Sequence, residues 1–522
     1  MQYRTWVPGE PLTGDARSVA LGVFDGVHLG HRAVISAARN VRAGSAEAYP
    51  LITVLSLTGV PKAGGRLLTA EQEKACAATL GVDEWLCVPF EAVREMSPEA
   101  FVSEILHRKL NARVVTCGYN FRFGKGGAGD AATLKALCEP LGIDVHVVPA
   151  VEREGTPVSS TAVRRALEQG DPEQAMRLLG RPYAVAFPVC EGNHLGGGWG
   201  VPTLNQPFPD GFVCPRFGVY ASLVVLGDKE YRAITNIGVH PTVGGTAVPQ
   251  AETHIFGYEG DLYGQTPSVK LIRFLREERR FDSVDELRAQ IAADCDTAEA
   301  LFRGDEGRKA VFFDFDDTLQ HRPHAFFATA KELLERYFPT MPAEEVDAKA
   351  AIMLEKNNDG YVIYSEYCKE ICELFRFPIE AAAFFDEYCV RFPFHSELFD
   401  DALFVLKELH RRGYLLGIIT NGESLMQNLK LDFAGLRPYM DLIVPAGDEG
   451  VQKPNPELYY RAAQRLCVAP QNCVFVGDYP PTDIAGAQAA GMTPLFIDFH
   501  GRGNCPDGVE QITTLTELLK NY

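Results

Sequence analysis

The sequence predicts a multidomain α/β protein built in three parts, and three observations carry that expectation. The chain has 522 residues, too many for one ordinary domain. Apolar runs alternate with helical patterns up to about residue 180 and again from about 308, as in parallel sheets covered by helices. Between them, from 181 to 303, short apolar runs are broken by Gly and Pro, the texture of a small antiparallel β-barrel.

Composition narrows the function. Residues are 46% hydrophobic and 23% charged, and the net charge is −19. Such a surface repels phosphodiester backbones, so nucleic acid is not an expected partner. Small anionic substrates need only local positive charge or bound Mg²⁺. Met1–Trp6 lacks the basic-then-apolar pattern of a signal peptide, and no apolar run is long enough to cross a bilayer. A cytoplasmic protein without a membrane partner is expected. The thirteen cysteines are scattered without a C-x-x-C pair; even Cys368 and Cys372, one helical turn apart, read as reduced core thiols.

In the first part, residues 1–180, Val19-Ala20-Leu21 leads into Gly22-Val23-Phe24-Asp25-Gly26-Val27-His28-Leu29-Gly30-His31. A helical pattern, Ala33, Val34, Ile35, Ala37 and Ala38, leaves it. A strand, a glycine turn and a helix start let phosphates lie against backbone N–H groups. His28 and His31 can donate hydrogen bonds to charge building up on a reacting phosphate. Taken alone, the loop is equally a turn with two solvated histidines. Leu51–Leu55, Trp85–Phe90, Val114–Cys117 and Val145–Val148 read as further strands. Thr69–Leu80 reads as a helix opened by a Thr69/Gln72 capping box, and another helix opens at Ser97-Pro98. Gly118–Gly127 mixes aromatics, basic residues and glycines that can cover a planar ring. Val158–Arg164 opens a helix whose first turn would point hydroxyls and N–H groups at an anion, with Arg164 on the same face.

Together these motifs resemble the FMN adenylyltransferase module of the prokaryotic bifunctional riboflavin kinase/FAD synthetases, over nearly all of residues 1–180. The resemblance implies a Rossmann-like nucleotidyltransferase domain. In it His28 and His31 stabilise the transition state at the ATP α-phosphate, while Gly30, Asn120, Ser160, Thr161 and Arg164 bind nucleotide and flavin phosphates. The FMN phosphate attacks, pyrophosphate leaves, and positioning supplies most of the catalysis. Where the family carries a Pro-His-Pro stretch this chain reads Leu55–Lys62 without that histidine, which predicts weakened adenylylation.

The second part, 181–303, has apolar runs at Tyr183–Cys190, Gly218–Leu226, Tyr231–Ile237 and Val269–Leu275. A helix, Val284–Asp294, closes it with Ser283 as cap and Glu286 three residues on. Gly200–Asn205, Asn236–Thr242 and Ala251–His254 continue the same resemblance, which implies a riboflavin kinase barrel. Thr203 and Asn205 would then hold Mg²⁺ and the ATP phosphates, and Glu252 would take the proton of the riboflavin 5′-hydroxyl. The loop His194–Gly200 has glycines where the family has basic residues, and Trp199 replaces an aliphatic residue. Two expectations follow: a working kinase and adenylyltransferase, or a degenerate pair of flavin-nucleotide-binding domains that regulates the third part.

The third part, 308–522, follows a polar linker, Arg303–Lys309. It opens on Ala310–Phe313 and then Asp314-Phe315-Asp316-Asp317-Thr318. So many acids at the end of a buried strand repel one another unless a cation compensates them. Downstream, Leu415–Ile419 leads to Thr420-Asn421-Gly422, Lys453 lies in Val451–Pro456, and Cys473–Val476 ends in Gly477-Asp478, with Asp483 beyond. Each polar group sits at or just past a strand end, where a cleft on a parallel sheet needs it. The set resembles the haloacid dehalogenase superfamily over the whole third part, with residues 321–403 as a helical cap rich in aromatics. The resemblance implies that Asp314 is the nucleophile, forming an aspartyl-phosphate, and Asp316 the acid and base. Thr420, Asn421 and Lys453 bind the phosphoryl group. Asp314, the carbonyl of Asp316, Asp478 and Asp483 hold Mg²⁺. Expected substrates and products are thus ATP, riboflavin, FMN, FAD and a phosphate ester, the ester being a ribityl-aminouracil phosphate, FMN or another monophosphate.

Overall fold

The computed structural model describes residues 1–40, 50–60, 64–190, 203–241, 247–360 and 362–522, the side chains of 240, 241, 247 and 359 excepted. They form two compact units. One comprises 1–310 with 440–443 and 460–473; the other comprises 311–439, 444–459 and 474–522.

The first unit begins with a six-stranded parallel sheet in the order 2–5, 84–89, 51–58, 17–22, 112–118, 144–148. Alternate residues of its central strands enter different cores. Ala20, Ile52, Val54 and Trp85 face one, and Val19, Leu21, Leu55, Leu86, Val88 and Val115 face the other. Burial on both faces explains why these strands read as continuous apolar runs. Thr69 and Gln72 form the reciprocal capping box. Ser97 caps a helical segment, Pro98–Ala100, that continues as a π-helix over Phe101–Lys109.

The core behind Ala20 and Trp85 continues without a break into Tyr183, Val185, Tyr220, Val224 and Ile237. Those residues belong to a curled antiparallel half-barrel of six strands, ordered 184–185, 268–276, 218–226, 229–241, 247–255, 204–207. The run Tyr183–Cys190 forms strand only at Ala184–Val185 and one bridge at Cys190, because Pro182 and Pro188 offer no N–H to a ladder. Three buried hydroxyls, Ser222, Thr235 and Thr253, bond across adjacent strands at 2.7 and 2.9 Å. The closing helix runs past Asp294 to Arg303, ending at left-handed Gly304, because Ala298, Leu301 and Phe302 still find buried positions.

The second unit holds most of a six-stranded sheet, ordered 442–445, 415–420, 310–313, 473–477, 493–497, 510–512, whose last three strands pair in parallel. Between its first two strands in sequence lie four cap helices, 322–337, 343–357, 364–375 and 381–391. Phe326, Tyr367, Phe377 and Phe384 fill their core.

Arg17 is fully buried and pairs with Glu84 at 2.8 Å; Thr53 donates to the same carboxylate at 2.8 Å. Removing one partner strands the other charge in apolar surroundings. Arg17→Met is therefore expected to destabilise the first unit by about 3–5 kcal/mol in urea titrations followed by tryptophan fluorescence.

Candidate active sites

The glycine turn of the first sheet is tightly built. Phe24, Gly26 and Val27 have φ of 43°, 91° and 41°. Left-handed φ at Phe24 and at a β-branched valine costs about 1–3 kcal/mol each and persists only where surroundings enforce it. They do: Arg181 donates to the carbonyls of Gly26 and Val27 at 2.7 and 3.1 Å. Asp25 accepts from Leu67 N–H at 2.9 Å and from Arg164, and its carbonyl accepts from Ser160 at 2.8 Å. One buried carboxylate thus joins the turn, the 65–67 segment and the helix 160–169.

The turn delivers its histidines together. The rings of His28 and His31 stack with centroids 3.5 Å apart, and His28 Nδ1 accepts the His31 backbone N–H at 3.2 Å. A Cβ on Gly30 would stand 3.2 Å from the His28 ring, so glycine is what lets that ring fold back over the helix start. Ser159 caps the helix 160–169 through Ala162 N–H. Ser160 is half-buried and Thr161 exposed. Arg164, expected to face an anion, is 5% exposed; it bonds Asp25 and the carbonyl of Gly65 at 2.6 Å, so its charge is spent inside the fold. Asn120 is exposed beside exposed Tyr119. The Pro-His-Pro position falls at the end of the strand 51–58, and Pro61 and Lys62 lie outside the described residues.

In the half-barrel, Asn205 is registered opposite Glu252, and Glu252 opposite Asn236. Cross-strand partners share a face, so the three polar side chains form a row. Gln250 donates to Glu252 at 2.8 Å. Thr203 lines a cavity of about 240 Å³ with Thr253, Tyr258, Asp261 and Tyr263. The loop His194–Gly200, Val201, Pro202 and Thr242 lie outside the described residues.

The second unit brings its strand-end residues into one cleft of about 920 Å³. Lys453 Nζ donates to Asp314 at 2.5 Å and to Asp483 at 2.8 Å. Carboxylate oxygens of Asp314, Asp478 and Asp483 lie within 4.8 Å of one another. Gly477 makes this possible, since a Cβ there would stand 2.4 Å from Asp483 Oδ2. Burial, with Asp483 and Asp316 nearby and despite Lys453, pushes the Asp314 carboxyl up to about 7. Burial and the charges of Asp483, Asp317 and Asp314 hold Asp478 well above the usual carboxylate range. Three hard oxygen donors that repel one another fit a divalent cation such as Mg²⁺.

The other expected residues also surround this cleft. Thr420 is 1% exposed at a strand end. Asn421 braces the Lys453 loop, accepting its N–H at 2.8 Å and donating to its carbonyl at 3.1 Å. Asp316 lines the same cleft, held by Lys430, Gln427 and Gln320; against the effect of burial, the charges of Lys430 and Arg322 keep its carboxyl below the usual range. Of the cap aromatics, Tyr364, Phe385, Tyr388 and Phe392 line the cleft; Tyr361 lies outside the described residues. Lys430, Gln427, Arg322 and Arg502, which donates to Asp478 at 3.3 Å, are site residues that motif reading passed over. Gln427 and Lys430 carry a faint signal, being polar residues among Leu425, Met426, Leu429 and Leu431.

Comparison with known proteins places names on these units. The chain matches the family models "FAD synthetase" over 13–162, "Riboflavin kinase" over 179–302 and "Haloacid dehalogenase-like hydrolase" over 311–497. It is 37% identical over 292 residues to the bifunctional riboflavin kinase/FMN adenylyltransferase of Escherichia coli K12, covering 54% of this chain and 92% of that protein. The protein of the same name from Pseudomonas fluorescens is 35% identical over 286 residues, covering 54% and 91%. A solved structure titled a macrolide-efflux protein from Streptococcus pneumoniae aligns with a TM-score of 0.51 and 27% identity, covering 57% of this chain and 99% of that one.

Burial of the acids, and then their crowding, predict how the cation site responds to pH. Below about 7 Asp314 holds a proton that a cation must displace, so Mg²⁺ affinity is expected to fall as pH drops from 8 to 6. Calorimetric titration at pH 6.5 in buffers of different ionisation enthalpy should show proton release on Mg²⁺ binding; buffer-independent heats would contradict it.

Proposed function

The chain belongs to the bifunctional riboflavin kinase/FMN adenylyltransferase family, and from that footing we propose that its fused hydrolase serves the same pathway by cleaving a ribityl phosphate ester. The two transferase activities make FMN from riboflavin and ATP, then FAD from FMN and a second ATP. In this reading Glu252, in its polar row with Asn205, takes the proton of the riboflavin 5′-hydroxyl as that oxygen attacks the γ-phosphate. Thr203 and Asn205 serve the ATP phosphates and their Mg²⁺. His28 and His31 stabilise charge at the α-phosphate, Gly30 keeps the turn open, and Ser160, Thr161 and Asn120 bind phosphate or flavin. Arg164 acts through Asp25, holding the turn in shape.

The hydrolase reading rests on one observation: Asp314, Lys453, Asp478 and Asp483 converge at the strand ends with Asp316 beside them. Asp314 attacks phosphorus, the ester P–O bond breaks, and Asp316 gives the leaving oxygen a proton. Asp316 then takes a proton from water as that water attacks the aspartyl-phosphate, releasing phosphate and restoring Asp314. Mg²⁺ held by Asp314, Asp478, Asp483 and the Asp316 carbonyl would neutralise phosphoryl charge there. Lys453, Thr420 and Asn421 orient the phosphoryl group. The aromatic-lined cleft has room for a ribityl chain and a planar ring. A ribityl-aminouracil phosphate suits it better than FMN, because hydrolysing FMN would undo the kinase step. Screening the full-length protein against phosphate esters, including both compounds, tests the choice; a preference for esters without a ring would refute it.

Two substitutions separate the activities. Asp314→Asn is expected to cut phosphate release by at least about 10³-fold while FAD formation from riboflavin and ATP continues. His31→Ala is expected to slow FAD formation by about 10²- to 10³-fold, so that FMN accumulates in a chromatographic time course.

A further inference from the structure

The hydrolase cleft contains two lysines, and they serve different carboxylates. Lys453 is taken up by Asp314 and Asp483. Lys430 donates to both oxygens of Asp316, at 2.6 and 2.5 Å. Two amides complete the grip: Gln320 donates to Asp316 Oδ1 at 3.0 Å and Gln427 to Oδ2 at 3.2 Å. Lys430 is itself fixed. It is 1% exposed, and its ammonium lies 5.3 and 5.2 Å from the ring centroids of Phe315 and Phe392. A buried lysine with so little freedom is suited to hold a neighbour in place rather than follow a phosphoryl group from bound to free states.

We propose that Lys430 is the positioning residue for proton transfer in the hydrolase, anchoring the Asp316 carboxylate toward the leaving oxygen of the bound ester. The proposal rests on Asp316 being the acid and base. Gln427 is the secondary anchor: it spans Asp316 and the Asn421 carbonyl, to which it donates at 2.7 Å, and so ties the carboxylate to the phosphoryl-binding strand end. Lys430 and Gln427 sit one turn apart on the helix 424–433, so a single helix face supplies both anchors.

The consequence is specific to the leaving group. A misplaced acid harms esters whose leaving oxygen needs a proton and spares those whose leaving group departs as a stable anion. The full-length protein with Mg²⁺ is assayed on 4-nitrophenyl phosphate, phenyl phosphate and ribose 5-phosphate. For Lys430→Met, kcat on phenyl phosphate and ribose 5-phosphate is expected to fall about 10- to 100-fold further than on 4-nitrophenyl phosphate. Lys430→Gln, which keeps an amide N–H donor group without the charge, is expected to show a smaller split. Because the readout is a ratio within one preparation, any misfolded fraction cancels. Asp316→Asn on the same esters separates the two claims. If it shows the split and both Lys430 variants lose all activities equally, Lys430 does not position the acid and the proposal is overturned. If Asp316→Asn itself shows no split, the acid and base reading of Asp316 fails, and the proposal with it.

Discussion

Like charges cannot share a dry cleft unless something positive stands among them, and the hydrolase unit is arranged around that constraint. Its sheet presents Asp314, Asp316, Asp478 and Asp483 to one space. Every device nearby answers their repulsion: Lys453 between Asp314 and Asp483, Lys430 on Asp316, Arg502 on Asp478. Burial first, and the remaining repulsion after it, hold the Asp314 and Asp478 carboxyls up, and a divalent cation is what would relieve both.

The transferase unit solves a related problem with fewer charges. Its turn carries two neighbouring imidazoles on a backbone held in sparsely populated conformations. Asp25 provides much of that rigidity, since its carboxylate and carbonyl fasten three separated segments at once. In the half-barrel, strand register does the equivalent work, setting Asn205, Glu252 and Asn236 side by side. In each case a rigid element sets polar groups side by side, and phosphoryl transfer depends on such positioning.

The sequence made much of this visible, for identifiable reasons. Strand-end motifs such as Asp314–Asp316 and Gly477-Asp478 combine an apolar run with chemistry that no solvated loop requires. Thr69 and Gln72 announce their capping box through local spacing alone. Roles that depend on a distant partner were hidden. Arg164 reads as an anion ligand because its helix start is visible in sequence, whereas its partner Asp25 lies 139 residues away. Lys430 belongs to no motif, because helical spacing says nothing about Asp316, 114 residues earlier. The final turns of the helix ending at Arg303 leave no local mark in the sequence, because burial of Leu301 and Phe302 against the half-barrel is tertiary.

In the proposed hydrolysis Asp314 becomes covalently phosphorylated. Rapid acid quench of the protein turning over 4-nitrophenyl phosphate, followed by peptide mass spectrometry, measures it. A hydroxylamine-labile phosphate on the peptide containing Asp314 is expected. Phosphate on any other residue would contradict it.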